Sequence, residues 1–120
     1  MGKDALKPTS KRKVLIVKEH FYHNLYDVLE YTAQTFGKVV ARKFKNKVEK
    51  AIKTLPDQYD AYPQNRFLLN TDKKVYRNML MNSYYIIFSV TEDTLTVLDI
   101  IYQGRDPNVI VKEVRSAELT

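Results

Sequence analysis

The chain has 120 residues, of which 44% are hydrophobic and 12% aromatic, which suits one folded domain with one core. It contains no cysteine, so disulfides, thiolate metal sites and a cysteine nucleophile are excluded. The formal net charge of +6 favours anionic partners such as nucleic acid or an acidic protein segment. Its apolar runs are too short to cross a bilayer and its N-terminus lacks the apolar core of a signal peptide. We therefore expect a cytoplasmic protein with no membrane partner.

Residues 1–13 are predicted to form a flexible basic tail, because five basic residues accompany Gly2, Pro8 and a single acid. The run Lys11 to Lys13 could contact phosphate, although a solvated terminal charge run is the simpler interpretation. The apolar residues that follow, 14–17, predict a first strand.

Two helices are predicted next, separated by Gly37. Residues 21–36 and residues 38–55 each carry apolar side chains at spacings of three and four, which is typical of one buried helical face. Glycine commonly ends a helix, and Pro56 is predicted to end the second one. The stripe of the first helix is Phe21, Leu25, Val28, Leu29, Thr32 and Phe36, and that of the second is Val40, Phe44, Val48, Ala51, Ile52 and Leu55.

The exterior of the second helix is strongly basic, with a single acid, Glu49, among seven lysines and arginines. These are Lys38, Arg42, Lys43, Lys45, Lys47, Lys50 and Lys53. Three interpretations remain open: a solvated surface, a track for a phosphate backbone, or a landing site for an acidic protein.

Three consecutive strands are predicted at residues 75–81, 84–91 and 94–102, because these runs are rich in β-branched and aromatic side chains. Residues 67–69 could add a short strand. Residues 108–120 form a C-terminal extension whose pattern fits a strand, a helix or a tail. The predicted fold is α+β: within one domain, residues 14–107, an N-terminal strand and a helical hairpin pack on an antiparallel three- to four-stranded sheet.

Simple alternation places Tyr84 and Tyr85 on opposite faces of their strand, so one is expected to pack and the other to be partly exposed. Asp99 interrupts an apolar strand, and a buried carboxylate is costly without a partner. We expect a structural ion pair or hydrogen bond there, with Arg77 or Arg105 as candidate partners.

His20 and His23 lie three residues apart at the start of the first helix, a spacing that can place two imidazoles on one face. The nearby candidate ligands are Glu19 and Asp27. Two exposed histidines are the simpler interpretation, so we predict no metal site and no cofactor.

Three segments together resemble the RelE/ParE superfamily, the toxins of bacterial type II toxin-antitoxin pairs. They are AIKTLP at residues 51–56, SYYIIFSVTEDTLTVLDI at 83–100 and YQGRDP at 102–107. The resemblance implies a small basic toxin neutralised by a cognate antitoxin, an acidic and partly disordered chain. RelE-like members cut messenger RNA on the ribosome, whereas ParE-like members inhibit DNA gyrase.

RNA cleavage without a metal needs a base, an acid and several cations around the reacting phosphate. If this chain is a RelE-like nuclease, the resemblance leaves Arg77, Arg105, Tyr85 and Tyr102 as its catalytic candidates. That set is poor in cations, since Tyr85 stands where such enzymes have an arginine. We therefore favour a ParE-like inhibitor that binds gyrase and is not an enzyme. A RelE-like ribosome-dependent nuclease and a degenerate, non-toxic antitoxin-binding homologue are the alternatives.

Overall fold

The structure is a computed structural model in which residues 12–119 are described. Residues 1–11 of the predicted tail, and Thr120, lie outside the described residues. The elements, in chain order, are β1 (Val14–Val17), α1 (Glu19–Phe36), α2 (Lys38–Gln58), a short 3₁₀ turn (Tyr59–Ala61), β2 (Val75–Met81), β3 (Tyr84–Val90), β4 (Thr94–Tyr102) and α3 (Pro107–Leu119).

The four strands form one sheet in the order β1-β4-β3-β2. Strands β2, β3 and β4 are the predicted antiparallel meander, and the α+β architecture with its helical hairpin is confirmed. The pairing of β1 differs from the antiparallel sheet that we predicted, because β1 lies parallel to β4 and the sheet is mixed. Parallel neighbours need a long crossover, which the helical hairpin and the meander together provide.

The helical hairpin covers one face of the sheet. Phe21 and Leu25 of α1 and Val48 and Leu55 of α2 are buried against apolar side chains that point from the strands, among them Phe88. Each such side chain contributes roughly 1.5–3 kcal/mol when it leaves water, so this face supplies most of the hydrophobic stabilisation.

Helix α3 covers the other face, which settles the three alternatives for the C-terminal extension. Ile110 and Val114 are buried against Ile87, Leu98 and Ile101 of the sheet. A polar anchor lies near the end of the helix: the Tyr76 hydroxyl donates to Glu118 at 2.7 Å, and Lys74 Nζ lies 3.1 Å from the same carboxylate.

The connections show why two local predictions were wrong. Helix α2 continues past Pro56 to Gln58, because a proline this close to the end removes only one hydrogen bond and its ring is buried. Residues 67–69 form no strand, since the amide groups of Phe67 and Leu68 donate to the Asn65 side chain instead. As predicted, Gly37 ends α1, with a φ of 103° that favours glycine.

The two described residues of the predicted tail contact the domain. Arg12 pairs with Asp57 at 3.1 Å, and Lys13 Nζ donates to the carbonyls of Thr91 and Glu92 at the β3–β4 turn. Among residues 12–119, no helix has the length and apolar content that crossing a membrane requires.

The Tyr76–Glu118 contact predicts a pH effect on stability. Burial, and then the neighbouring Glu118 carboxylate, raise the pKa of Tyr76 above its usual value of 10.0. Above pH 10 the unfolded chain would release this proton while the folded chain keeps it, so the free energy of unfolding falls as pH rises. Tyr76→Phe should be the less stable protein at pH 7, by about 1–2 kcal/mol, and should lose less stability above pH 10.

Urea unfolding of both proteins at pH 7, 10 and 11 measures this difference. Tyr22→Phe, which changes an exposed tyrosine, serves as the matched control and should follow the wild type. If the free energy of unfolding changes by the same amount with pH in the wild type and in Tyr76→Phe, then Tyr76 is not the group responsible for the loss of stability.

Candidate functional site

A groove lies between the tip of the helical hairpin and the end of the sheet; we call it the hairpin-tip groove. Its volume is about 450 Å³. The tip of the hairpin lies over the β2–β3 turn and the last residue of β4, so that side chains from both helices and from two strands line one concave surface. The lining is Tyr31, Thr32, Phe36, Val40, Phe44, Asn82, Ser83, Tyr84 and Tyr102.

Several large apolar side chains around this groove are exposed to solvent. Phe36 is 65% exposed, Val39 58% and Tyr31 57%, and Tyr102 and Val40 are about half exposed. Helical periodicity predicts that Phe36 and Val40 belong to the buried stripes, and for these two residues that prediction is wrong. The apolar stripe continues past the end of the sheet, where nothing among the described residues covers it. Clustered exposed apolar side chains mark interaction sites.

Basic and tyrosine side chains border the groove. Lys47 Nζ donates to Asn82 Oδ1 at 3.2 Å, and Lys43 is exposed one helical turn away. Tyr84 packs edge to face against Tyr102, with ring centroids 6.2 Å apart. Burial raises the pKa of Tyr84, so its hydroxyl stays neutral beside these rings. The groove therefore joins an apolar floor to a cationic edge.

The four catalytic candidates lie in different environments. Arg77 and Tyr102 are on the sheet face under the hairpin, whereas alternation places Tyr85 on the opposite face. Arg77 NH1 donates to the carbonyl of Tyr62 at 2.5 Å, and Arg105 NH2 donates to Glu113 Oε2 at 2.6 Å. Within residues 12–119, no hydrogen bond, ion pair or ring contact joins any two of these four side chains.

Tyr85 lines a second groove of about 560 Å³, near the edge strand β2 and beside Asn78 and Leu80. Arg66 is the one cation among the described residues that line it. The other lining residues are Tyr62, Pro63, Gln64 and Phe67. Cleavage of a phosphodiester needs several cations near the developing charge. This groove has an aromatic rather than a cationic lining.

A polar cluster joins α1, β4 and α3. Asp99 is fully buried; its Oδ1 accepts from Asn24 Nδ2 at 2.6 Å and from the Ile100 amide at 2.8 Å, and its Oδ2 lies 3.0 Å from His20 Nε2. The hydrogen bond that we predicted for Asp99 exists, but Arg77 and Arg105 as its partners are wrong. A register shift at Leu98 places Leu98 under α3 and Asp99 beside the first turn of α1.

Burial raises the pKa of Asp99, while Asn24 and then His20 oppose that shift. His20 is accordingly half-buried rather than exposed as expected, whereas His23 is exposed. The contacts of Asp99 with His20 and Asn24 span more than 70 positions in sequence, so no local pattern around residue 99 or residue 20 could have revealed them.

Comparison with known proteins places the chain in a family. A family model described as the ParE toxin of the type II toxin-antitoxin system, parDE, matches residues 15–107. The chain therefore belongs to the ParE toxin family, and it is a toxin of the type II toxin-antitoxin class with an antitoxin as partner.

The fold of this chain is also found in a solved structure. A solved structure titled "Chromosomal ParDE TA system from P. aeruginosa" superposes with a TM-score of 0.61 and 13% sequence identity. The match covers 76% of this chain and 96% of that one, and at this identity it shows a shared fold. A search of curated proteins gives no match.

The contacts of the two candidate arginines predict structural roles. Arg77→Ala should lower the free energy of unfolding by about 1.5–3 kcal/mol, because the part-buried carbonyl of Tyr62 loses a charged donor. Arg105→Ala should lower the free energy of unfolding by about 0–1 kcal/mol, as is usual when an exposed ion pair is lost. We expect both variants, expressed without antitoxin at a temperature where they are folded, to inhibit growth as the wild type does. Arg66→Ala is the control.

Loss of growth inhibition in both variants, with folding and antitoxin binding intact, would contradict this prediction. Such a result would favour the nuclease interpretation.

Proposed function

We propose that this toxin inhibits growth by binding DNA gyrase in the cytoplasm, and that it does so without cleaving RNA. The observations that carry the proposal are that Tyr85 lies on the opposite sheet face from Arg77, and that Arg77 and Arg105 are both paired with other groups of the protein. A nuclease must hold its acid, base and cations within hydrogen-bond reach of one phosphate. Membership of the ParE family supports the same function.

Binding, in contrast, needs a surface that offers buried area and a few anchor side chains. Aromatic residues supply such anchors, since they give large contact areas with little loss of rotamer freedom. The exposed aromatic and aliphatic residues of the hairpin give this chain such a surface, and they lie on the two helices α1 and α2.

The same proposal assigns the hairpin-tip groove to the antitoxin. The exposed Phe36 and Tyr31 fit the apolar side of an amphipathic segment, and Lys43 and Lys47 fit acidic residues on its border. An acidic, partly disordered antitoxin would gain both contacts when it folds onto the toxin. Occupation of the groove then neutralises the toxin by covering its exposed apolar surface.

Gyrase inhibition can be measured directly. We expect purified toxin, freed of antitoxin, to block ATP-dependent supercoiling of relaxed plasmid or to trap gyrase-cleaved DNA. Prior addition of the antitoxin should restore supercoiling. A cell-free translation reaction at the same toxin concentration is the parallel control, and we expect it to be unaffected.

Supercoiling that proceeds normally at a large excess of toxin would contradict the gyrase proposal. If translation stopped in that experiment and messenger RNA was cut, the RelE-like alternative would be correct.

The antitoxin assignment is tested by a charge placed in the groove. Phe36→Glu should weaken antitoxin binding about thirtyfold or more, because an apolar anchor is replaced by a charge of the same sign as the proposed partner. Phe67→Glu is a matched control, since Phe67 is 45% exposed but lines the groove beside Tyr85. Calorimetric titration of both variants with the cognate antitoxin measures the effect.

Equal affinities in the two variants would show that the antitoxin binds elsewhere. That result would leave gyrase inhibition, which is measured without antitoxin, as a separate question.

A further inference from the structure

The polar cluster between α1, β4 and α3 contains an arrangement that the toxin function does not explain. Ligand atoms of His20, Asp99 and Glu113 all lie within 4.8 Å of one another. Two carboxylates this close repel each other unless a proton or a cation lies between them. Asp99 has no access to water, so its negative charge is especially costly there.

We propose that His20, Asp99 and Glu113 bind one divalent first-row transition-metal ion, with Zn²⁺ as the expected occupant. An imidazole nitrogen and two carboxylates from three elements are a ligand set that Zn²⁺ accepts, with a fourth position left for water. The imidazole disfavours Mg²⁺ and Ca²⁺, which select oxygen ligands.

The spacing of the ligand atoms fits such an ion. His20 Nε2 and Asp99 Oδ2 are 3.0 Å apart. In a tetrahedral site with ligand bonds of about 2.1 Å, neighbouring ligand atoms are about 3.4 Å apart, so these two atoms would separate by about 0.4 Å on binding. The metal would take the place of the contact between His20 Nε2 and Asp99 Oδ2, and Asn24 Nδ2, 3.2 Å from His20 Nε2, would have to give way. Glu113, whose ligand atom lies within 4.8 Å of the other two, would have to move closer to the ion.

The surrounding contacts hold the ligands in place. Asn24 and the Ile100 amide occupy Oδ1 of Asp99, so that Oδ2 is directed towards His20. Arg105 binds Oε2 of Glu113, which leaves the other carboxylate oxygen of that residue for the ion. Partners that orient the ligands of a metal in this way are a general feature of protein metal sites.

Bound metal would tie the first turn of α1 and the middle of α3 to β4. It would therefore stabilise the two layers on opposite sides of the sheet against separation. This role concerns the folded toxin itself and does not depend on whether gyrase is the target.

The test is a titration of tag-free, metal-stripped protein with Zn²⁺, followed by calorimetry and by the melting temperature. We expect one ion per chain and a rise in melting temperature. His20→Ala and Glu113→Gln should each bind Zn²⁺ about tenfold or more weakly. His20 and Glu113 are both partly exposed, so these variants test metal binding without leaving a cavity in the hydrophobic core.

Matched controls come from the same chain. His23→Ala changes an exposed histidine on the same helix and Glu30→Gln an exposed glutamate, and both should bind as the wild type does. Co²⁺ provides a second readout, because the visible absorption of the bound ion should appear in the wild type and controls and be absent in both site variants.

The proposal is wrong if the wild type binds no Zn²⁺, if both site variants keep full affinity, or if His23→Ala abolishes binding. If His20→Ala fails to fold, Glu113→Gln alone decides between these outcomes.

Discussion

The need to cover both faces of β3 and β4 determines the rest of this structure. Ile86 and Phe88 point to one side of the sheet and Ile87 and Leu98 to the other, and all four are almost completely buried. Neither layer of helices could satisfy that requirement alone. The helical hairpin covers one face and α3 the other, and the two layers meet at the edge of β4 where Asp99 is buried.

The strands and the hairpin could be predicted from sequence because their signals are local. Residues 75–81 and 94–102 are continuous runs of strand-forming side chains, and their predicted bounds are correct. The pairing of β1 with β4 could not be predicted in this way, since it depends on how the crossover packs. The same holds for Phe36 and Val40, whose exposure depends on where the sheet ends rather than on helical periodicity.

The contacts of the candidate site residues could be predicted from sequence less well than the fold, for a physical reason. Catalytic chemistry depends on side chains that meet in space, and alternation along β3 separates Tyr85 from the face that carries Arg77. The sequence contains the residue types of a nuclease without showing that Tyr85 and Arg77 lie on opposite faces of the sheet. The apolar side chains at the hairpin tip form one exposed surface because of where the helices pack on the sheet, which the sequence alone does not show.

The function that we propose for this ParE-family toxin is to stop growth through DNA topology rather than through translation. The most direct measurement is a pulse-label in cells that lack antitoxin, following thymidine and amino-acid incorporation over the first minutes after induction. We expect thymidine incorporation to fall first. An earlier fall in amino-acid incorporation would contradict it, and unchanged incorporation of both would show a toxin fold without toxicity.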